Sequence, residues 1–98
     1  NTPLMAAVAQ GRVKSVRLLL AAGADVDAKN IHKLTPVMIA AKRGDVKIIE
    51  LLLEKNPKVA VRNNDGYNAI QLAEQSGNAA AAARLKDYLG KQKFLGIF

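Results

Sequence analysis

Shifting the sequence by 33 positions aligns Thr2, Thr35 and Asn68, then Ala7, Ala40 and Ala73, then Gly11, Gly44 and Gly77, and finally Leu19, Leu52 and Leu85. A fixed period of this length marks a stacked array, in which each unit leaves an apolar face open until a neighbour covers it. About three units are needed for such an array to hold together, and three are present. The repeated phrases "TPLMAAVAQG" and "TPVMIAAKRG" are therefore read as copies of one building block.

The middle copy is the clearest. Thr35 can cap a helix, Pro36 suits a first turn that tolerates a missing N–H, and Gly44 ends the segment. In "DVKIIELLLEK", Val46, Ile49, Leu52 and Leu53 recur at helical spacing behind the cap residue Asp45, leaving Lys47, Glu50 and Glu54 for water. A second helix follows, antiparallel to the first. "NPKVAVRNNDGYN" then alternates apolar and polar residues and reaches Asp65-Gly66, a turn signal, so an extended, hairpin-like excursion joins one unit to the next.

Packing has to supply all the stability, because the chain of 98 residues contains no cysteine for disulfides or thiolate zinc sites. Half of the residues are apolar, with no run long enough to cross a bilayer, so a soluble single domain with a helical core rich in Ala and Leu is expected. The sequence begins at Asn1 without a basic-then-apolar leader, which is read as a trimmed or mature chain. Its compartment stays open, cytoplasmic by default and periplasmic or secreted if a leader preceded Asn1.

"TPLMAAVAQGRVKSVRLLLAAGADVDA" resembles the ankyrin repeat in its Thr-Pro-Leu opening, central Gly, Leu-Leu pair and Gly-Ala-Asp-Val close. The resemblance spans residues 1–90, in units of about 1–29, 30–62 and 63–90, with an apolar tail at 91–98. It implies an all-α solenoid of stacked antiparallel helix pairs with projecting β-hairpin-like loops. Later copies depart from the pattern: "NPKV" replaces "GADV", Asn68-Ala69-Ile70 replaces Thr-Pro-Leu, and Lys86 stands at a core Leu position. A polar residue there suits a terminal unit whose outer face meets water. The His that usually follows Thr-Pro-Leu is replaced by Met5, Met38 and Gln71, so Met side chains are expected to fill that space in place of a hydrogen-bond ladder.

Little in the sequence points to catalysis. One histidine, His32, and two serines, Ser15 and Ser76, are expected on different elements, and no thiol is present. Asp25 and Asp27 near Lys29 are better explained by turn formation than by a metal or acid–base site. No enzyme activity, cofactor or metal is expected. The net charge of +7 makes nucleic acid the alternative partner. Yet Arg12, Lys14, Arg17, Lys42, Arg43, Arg84 and Lys86 are scattered, and two Tyr and two Phe are too few for base-stacking readers.

The resemblance instead implies that another protein, one with an acidic patch, binds the concave surface of loop tips and first helices. The period assigns Ile31, His32 and Leu34 to the first loop, Lys42 and Arg43 to an inner helix end, Asn64, Asp65 and Tyr67 to the second loop, and Gln75 and Ser76 to the third inner helix. Aliphatic or aromatic anchors beside Arg are what interface hot spots are made of. Leu34 and Tyr67 have a second reading, as side chains packed under their own loops. Phe94, Leu95, Ile97 and Phe98 in "KQKFLGIF" need a cover, either the third unit or a partner or second copy of the chain, and are too few to anchor in a membrane. The expected role is a stand-alone adaptor or a steric inhibitor of a partner enzyme.

Overall fold

In the computed structural model the backbone is described for residues 2–97 and the side chains for residues 2–91. Six helices follow one another: α1 (Pro3–Ala9), α2 (Val13–Ala21), α3 (Pro36–Arg43), α4 (Val46–Leu53), α5 (Ala69–Gln75) and α6 (Ala79–Ile97). Each odd-numbered helix packs on the helix after it, and the pairs stack so that α1, α3 and α5 form one layer and α2, α4 and α6 the other. No strand occurs among the described residues. The result is an all-α repeat solenoid.

Local chemistry explains each inner helix. The side chains of Thr2, Thr35 and Asn68 accept hydrogen bonds from the amides of Met5, Met38 and Gln71, satisfying one of the open donors at each start. In the third unit the Gln71 side chain also accepts from the Asn68 amide, closing a reciprocal capping box. Gln71 is thus spent on its own helix, whereas Met5 and Met38 are buried in the stack. Asp45 caps α4 by accepting from the Ile48 amide at 3.2 Å.

Ala7, Ala40 and Ala73 are buried where the inner helices meet, and a methyl group is all that close approach allows. Ile49, Leu52 and Leu53 are buried and Val46 is half-buried, while Lys47, Glu50 and Glu54 face water, as the helical spacing predicts. Ile48 is buried as well, so α4 is covered over more than one stripe. Buried Tyr88 donates its hydroxyl to the Pro57 carbonyl at 3.2 Å; burial first, and Asp27 second, hold its ionisation above the usual 10.0.

The connecting segments narrow into tips of one design. In the first, the Asn30 amide donates to the Leu34 carbonyl at 3.1 Å and the Lys33 amide to the Asn30 carbonyl at 2.9 Å. In the second, Asn63, Tyr67 and Gly66 repeat those bonds at 2.9 and 3.0 Å. These are three-residue hairpin loops whose last member is left-handed. Their ladders are too short to count as strands. The left-handed position is Gly66 in one tip but Lys33, at φ 59°, in the other. A Cβ there costs about 1–2 kcal/mol, partly offset because Gly has more unfolded-state freedom to lose. Lys33→Gly is therefore expected to raise the melting temperature by about 2–5 °C. A decrease in a thermal melt would mean that contacts of the Lys33 side chain outweigh its backbone cost.

Candidate functional site

The loop tips are tied together along the stack. The Asn64 amide donates to the His32 carbonyl at 3.0 Å, and the Asn64 side chain to the Ile31 carbonyl at 3.2 Å. Inside each tip one asparagine holds the turn: Asn30 Oδ1 accepts from the His32 and Leu34 amides, and Asn63 Oδ1 from those of Asp65 and Tyr67. The side chains of Asn30, Asn63 and Asn64 are spent on the tips themselves, whereas none of these bonds engages the side chains of Ile31, His32, Asp65 or Tyr67. Ile31 is 87 % exposed, the largest exposure of a bulky apolar side chain among the described residues, while Tyr67 is 38 % exposed. His32, Asn64 and Asp65 are exposed too.

Leu34 is placed differently. It is half-buried and packs against the core, so it is not an exposed loop residue, and its remaining surface looks into a cleft. That cleft, of about 430 Å³, lies between the first and second units. Met5, Ala6 and Ala9 of α1, with Leu34 and Ile39, give it an apolar lining. Asn30 stands at one side, and Lys42 and Arg43 bring two positive charges to another. Of the residues expected to bind a partner, Leu34, Lys42 and Arg43 therefore share one cavity. Ile31, His32 and Asn64 sit at the joined tips, Tyr67 belongs to the second tip, and Gln75 and Ser76 are exposed at the end of α5.

Arg43 has a second task. Its guanidinium donates to the Ala9 carbonyl at 2.9 Å, satisfying an open acceptor at the end of α1 from the neighbouring unit. Asn78 does the same one unit on, donating to the carbonyls of Ala41 and Lys42 at 3.0 and 3.1 Å. The sequence gives little warning of either bond, because Arg43 and Asn78 occupy different positions of the repeat. Met5, Ala6, Ala9, Asn30 and Ile39 were likewise not singled out as lining residues. The pairing of Ala6 with Ile39 across the period was the available signal, since a small residue opposite a larger one leaves room.

Asp25 and Asp27 prove to be turn residues. Asp25 accepts from the Asp27 amide at 2.9 Å, and Asp27 reaches the Lys58 amide of the next unit at 2.8 Å. Among the described residues no group of three acidic, histidine or cysteine side chains could hold a metal ion. Nor, among them, is any helix long and apolar enough to cross a membrane. The tail-docking residues Phe94, Leu95, Ile97 and Phe98 lie outside the residues whose side chains are described.

Comparison with known proteins agrees with this architecture. The family described as ankyrin repeats, in three copies, matches residues 4–94. No curated protein sequence matches the chain. Among solved structures, the crystal structure of the human ASB11 ankyrin repeat domain is similar with a TM-score of 0.85 and 30% sequence identity. The match covers 90% of this chain but 40% of that one, so the chain spans less than half the length of this structural relative. Ankyrin repeats are modules of protein–protein interaction. Three aligned copies, six stacked helices and a family match over nearly the whole sequence lead to one conclusion: the chain belongs to the ankyrin-repeat family.

Proposed function

We propose that the chain binds another protein through the cleft between its first two units and the loop tips beside it, and acts as an adaptor or as a steric inhibitor of a partner enzyme. The observation that carries this reading is the cleft itself, an apolar lining with Lys42 and Arg43 along it. An aliphatic side chain of the partner seats against Leu34 and Ile39, and a neighbouring carboxylate meets Lys42. Arg43 adds charge while holding α1. Apolar area supplies most of the affinity, and the cations favour an acidic partner and speed the encounter. Ile31 extends the surface at the tip, where its side chain is 87 % exposed.

Affinity capture from the native source, followed by mass spectrometry, names the partner. Ile31→Ala and Lys42→Glu are then expected to weaken its binding about tenfold or more, while melting temperatures move little, because both side chains are exposed. Arg17→Ala, in the middle of the outer helix α2, is the control and should leave affinity unchanged. A loss of binding on Arg17→Ala with the cleft variants intact would place the partner on the other layer. Association with nucleic acid is expected to be weak and erased by added salt. Micromolar or tighter binding that survives about 0.2 M salt would favour the nucleic-acid reading instead.

A further inference from the structure

The cleft between the first two units has two unlike ends. Asn30 and Leu34 stand at the end nearest the loop tips, Met5, Ala6 and Ile39 line its length, and Lys42 and Arg43 stand where α3 stops. At that second end the Arg43 side chain crosses from α3 to α1. Its guanidinium donates to the Ala9 carbonyl at 2.9 Å and lies over Gly11, where a Cβ would come 3.0 Å from the guanidinium carbon. A charged bar thus spans the gap between the two helices.

The bar has donors to spare. A guanidinium carries several N–H groups in a planar fork, and the Ala9 carbonyl takes one of them. Counter-charge is missing as well. No acidic residue lines the cleft, and among the described residues the ion pairs engage Arg84, Lys86 and Lys91 rather than Lys42 or Arg43. The nearest acid in sequence, Asp45, accepts from the Ile48 amide as the cap of α4. Two adjacent cations therefore stand unpaired at the end of an apolar slot.

We infer that the occupant of this slot is the C-terminal tail of the partner, with an aliphatic last residue and a free α-carboxylate; the inference rests on the cleft being the partner site. Length favours a tail. Over eight residues at about 1.5 Å each, α3 spans about 12 Å, the reach of about three or four residues of extended chain. A chain that ran on past the slot would have to climb over Arg43 and lift its side chains from the apolar floor. A chain that ends there sets both carboxylate oxygens against the guanidinium, the geometry of a bidentate pair, with Lys42 beside it. Its last side chain fills the room that Ala6 and Ala9 leave opposite Ile39. An internal Asp or Glu brings the same charge but keeps main chain on both sides of it. At the other end the exposed tip, with Ile31, continues the surface for the body of the partner, which a fatty acid in the slot would not use.

The test uses two pools of peptides anchored by their N-termini and randomised over the last four positions, one ending in free carboxylates and the other in amides. Peptides enriched from the first pool are expected to end in Val, Leu or Ile. The amide of an enriched sequence should bind about tenfold more weakly than the acid, because the charged hydrogen bonds to Arg43 are lost. Arg43→Lys keeps the charge but not the planar fork, and should shrink that preference to about threefold or less. A merely structural role for Arg43 would weaken acid and amide alike and leave the preference as it was, which would overturn the proposal. Ala6→Leu fills the slot from an exposed position and should weaken both forms about tenfold or more. Equal binding of acids and amides, both lost on Ala6→Leu, would overturn the proposal while leaving the cleft as the partner site. Failure to enrich any free-ended peptide would also overturn it, and a captured partner that still binds the Ala6→Leu variant would remove the cleft reading as well. Decanoate bound as tightly as the best peptide acid would assign the slot to a fatty acid instead.

Discussion

Leu52→Ala is expected to lower the free energy of unfolding by about 2–5 kcal/mol, because truncation forfeits both the transfer energy of the side chain and the contacts around the void it leaves. Leu52 is fully buried in α4, which packs against α3 on one side and against α2 and α6 along its own layer. The loss should fall across the whole molecule, since the middle unit carries both inter-unit interfaces and neither outer unit can shed it and keep a partner. Urea denaturation is the measurement: the midpoint falls while the slope stays that of a single cooperative transition. Leu18→Ala, the same substitution at the counterpart of Leu51 in the outer helix of the first unit, where the residue is 71 % exposed, is the control and should stay within about 0.5 kcal/mol. A loss at Leu52 below about 0.5 kcal/mol would mean that the middle unit does not hold the array together.

The contrast between Leu18 and Leu52 also shows how far the sequence reaches. Period and helical spacing located the helices, their caps and the burial of Ile49, Leu52 and Leu53, because those features depend on residues within one unit and recur in the next. Burial of Ile48 escaped the pattern. Its counterpart in the first unit is the half-buried Ser15, and only stacking makes the middle unit's version a core position. The placement of the candidate contact residues was legible in outline. Ile31 is as exposed as a loop tip predicts, and Lys42 and Arg43 stand together. Leu34 turned partly inward because the bond from its amide to Asn30 Oδ1 fixes the tip, leaving the side chain against the core. The cleft needed coordinates, for it exists only where Ala6 and Ala9 of one helix face Ile39 of the next. Arg43 and Asn78 as ties between units were hidden for the same reason: each bond spans more than 30 positions and joins a side chain to a backbone carbonyl that no residue type announces.

Those ties give the recurring glycine a second function, and Gly44→Ala is expected to expose it at a cost of about 2–4 kcal/mol. Gly44 ends α3 at φ 76°, where any Cβ is strained, and Gly77 ends α5 at φ 74° with the same handicap. Their surroundings differ. A Cβ at Gly77 meets nothing within 4 Å, whereas one at Gly44 falls 2.6–2.8 Å from the side-chain amide of Asn78. That amide cannot retreat without releasing the carbonyls of Ala41 and Lys42 at the end of α3. Gly77→Ala should therefore cost about 1 kcal/mol, the backbone strain less the unfolded-state entropy that Ala gives up. Gly44→Ala should add to this the loss of the tie between the second and third units. A double-mutant cycle separates the two contributions: with Asn78→Ala already in place, Gly44→Ala should fall to about the Gly77→Ala value, because no amide remains to be displaced. Equal costs at the two glycines, or strict additivity in the cycle, would reduce Gly44 to a helix stop and leave Asn78 without a part in joining the units.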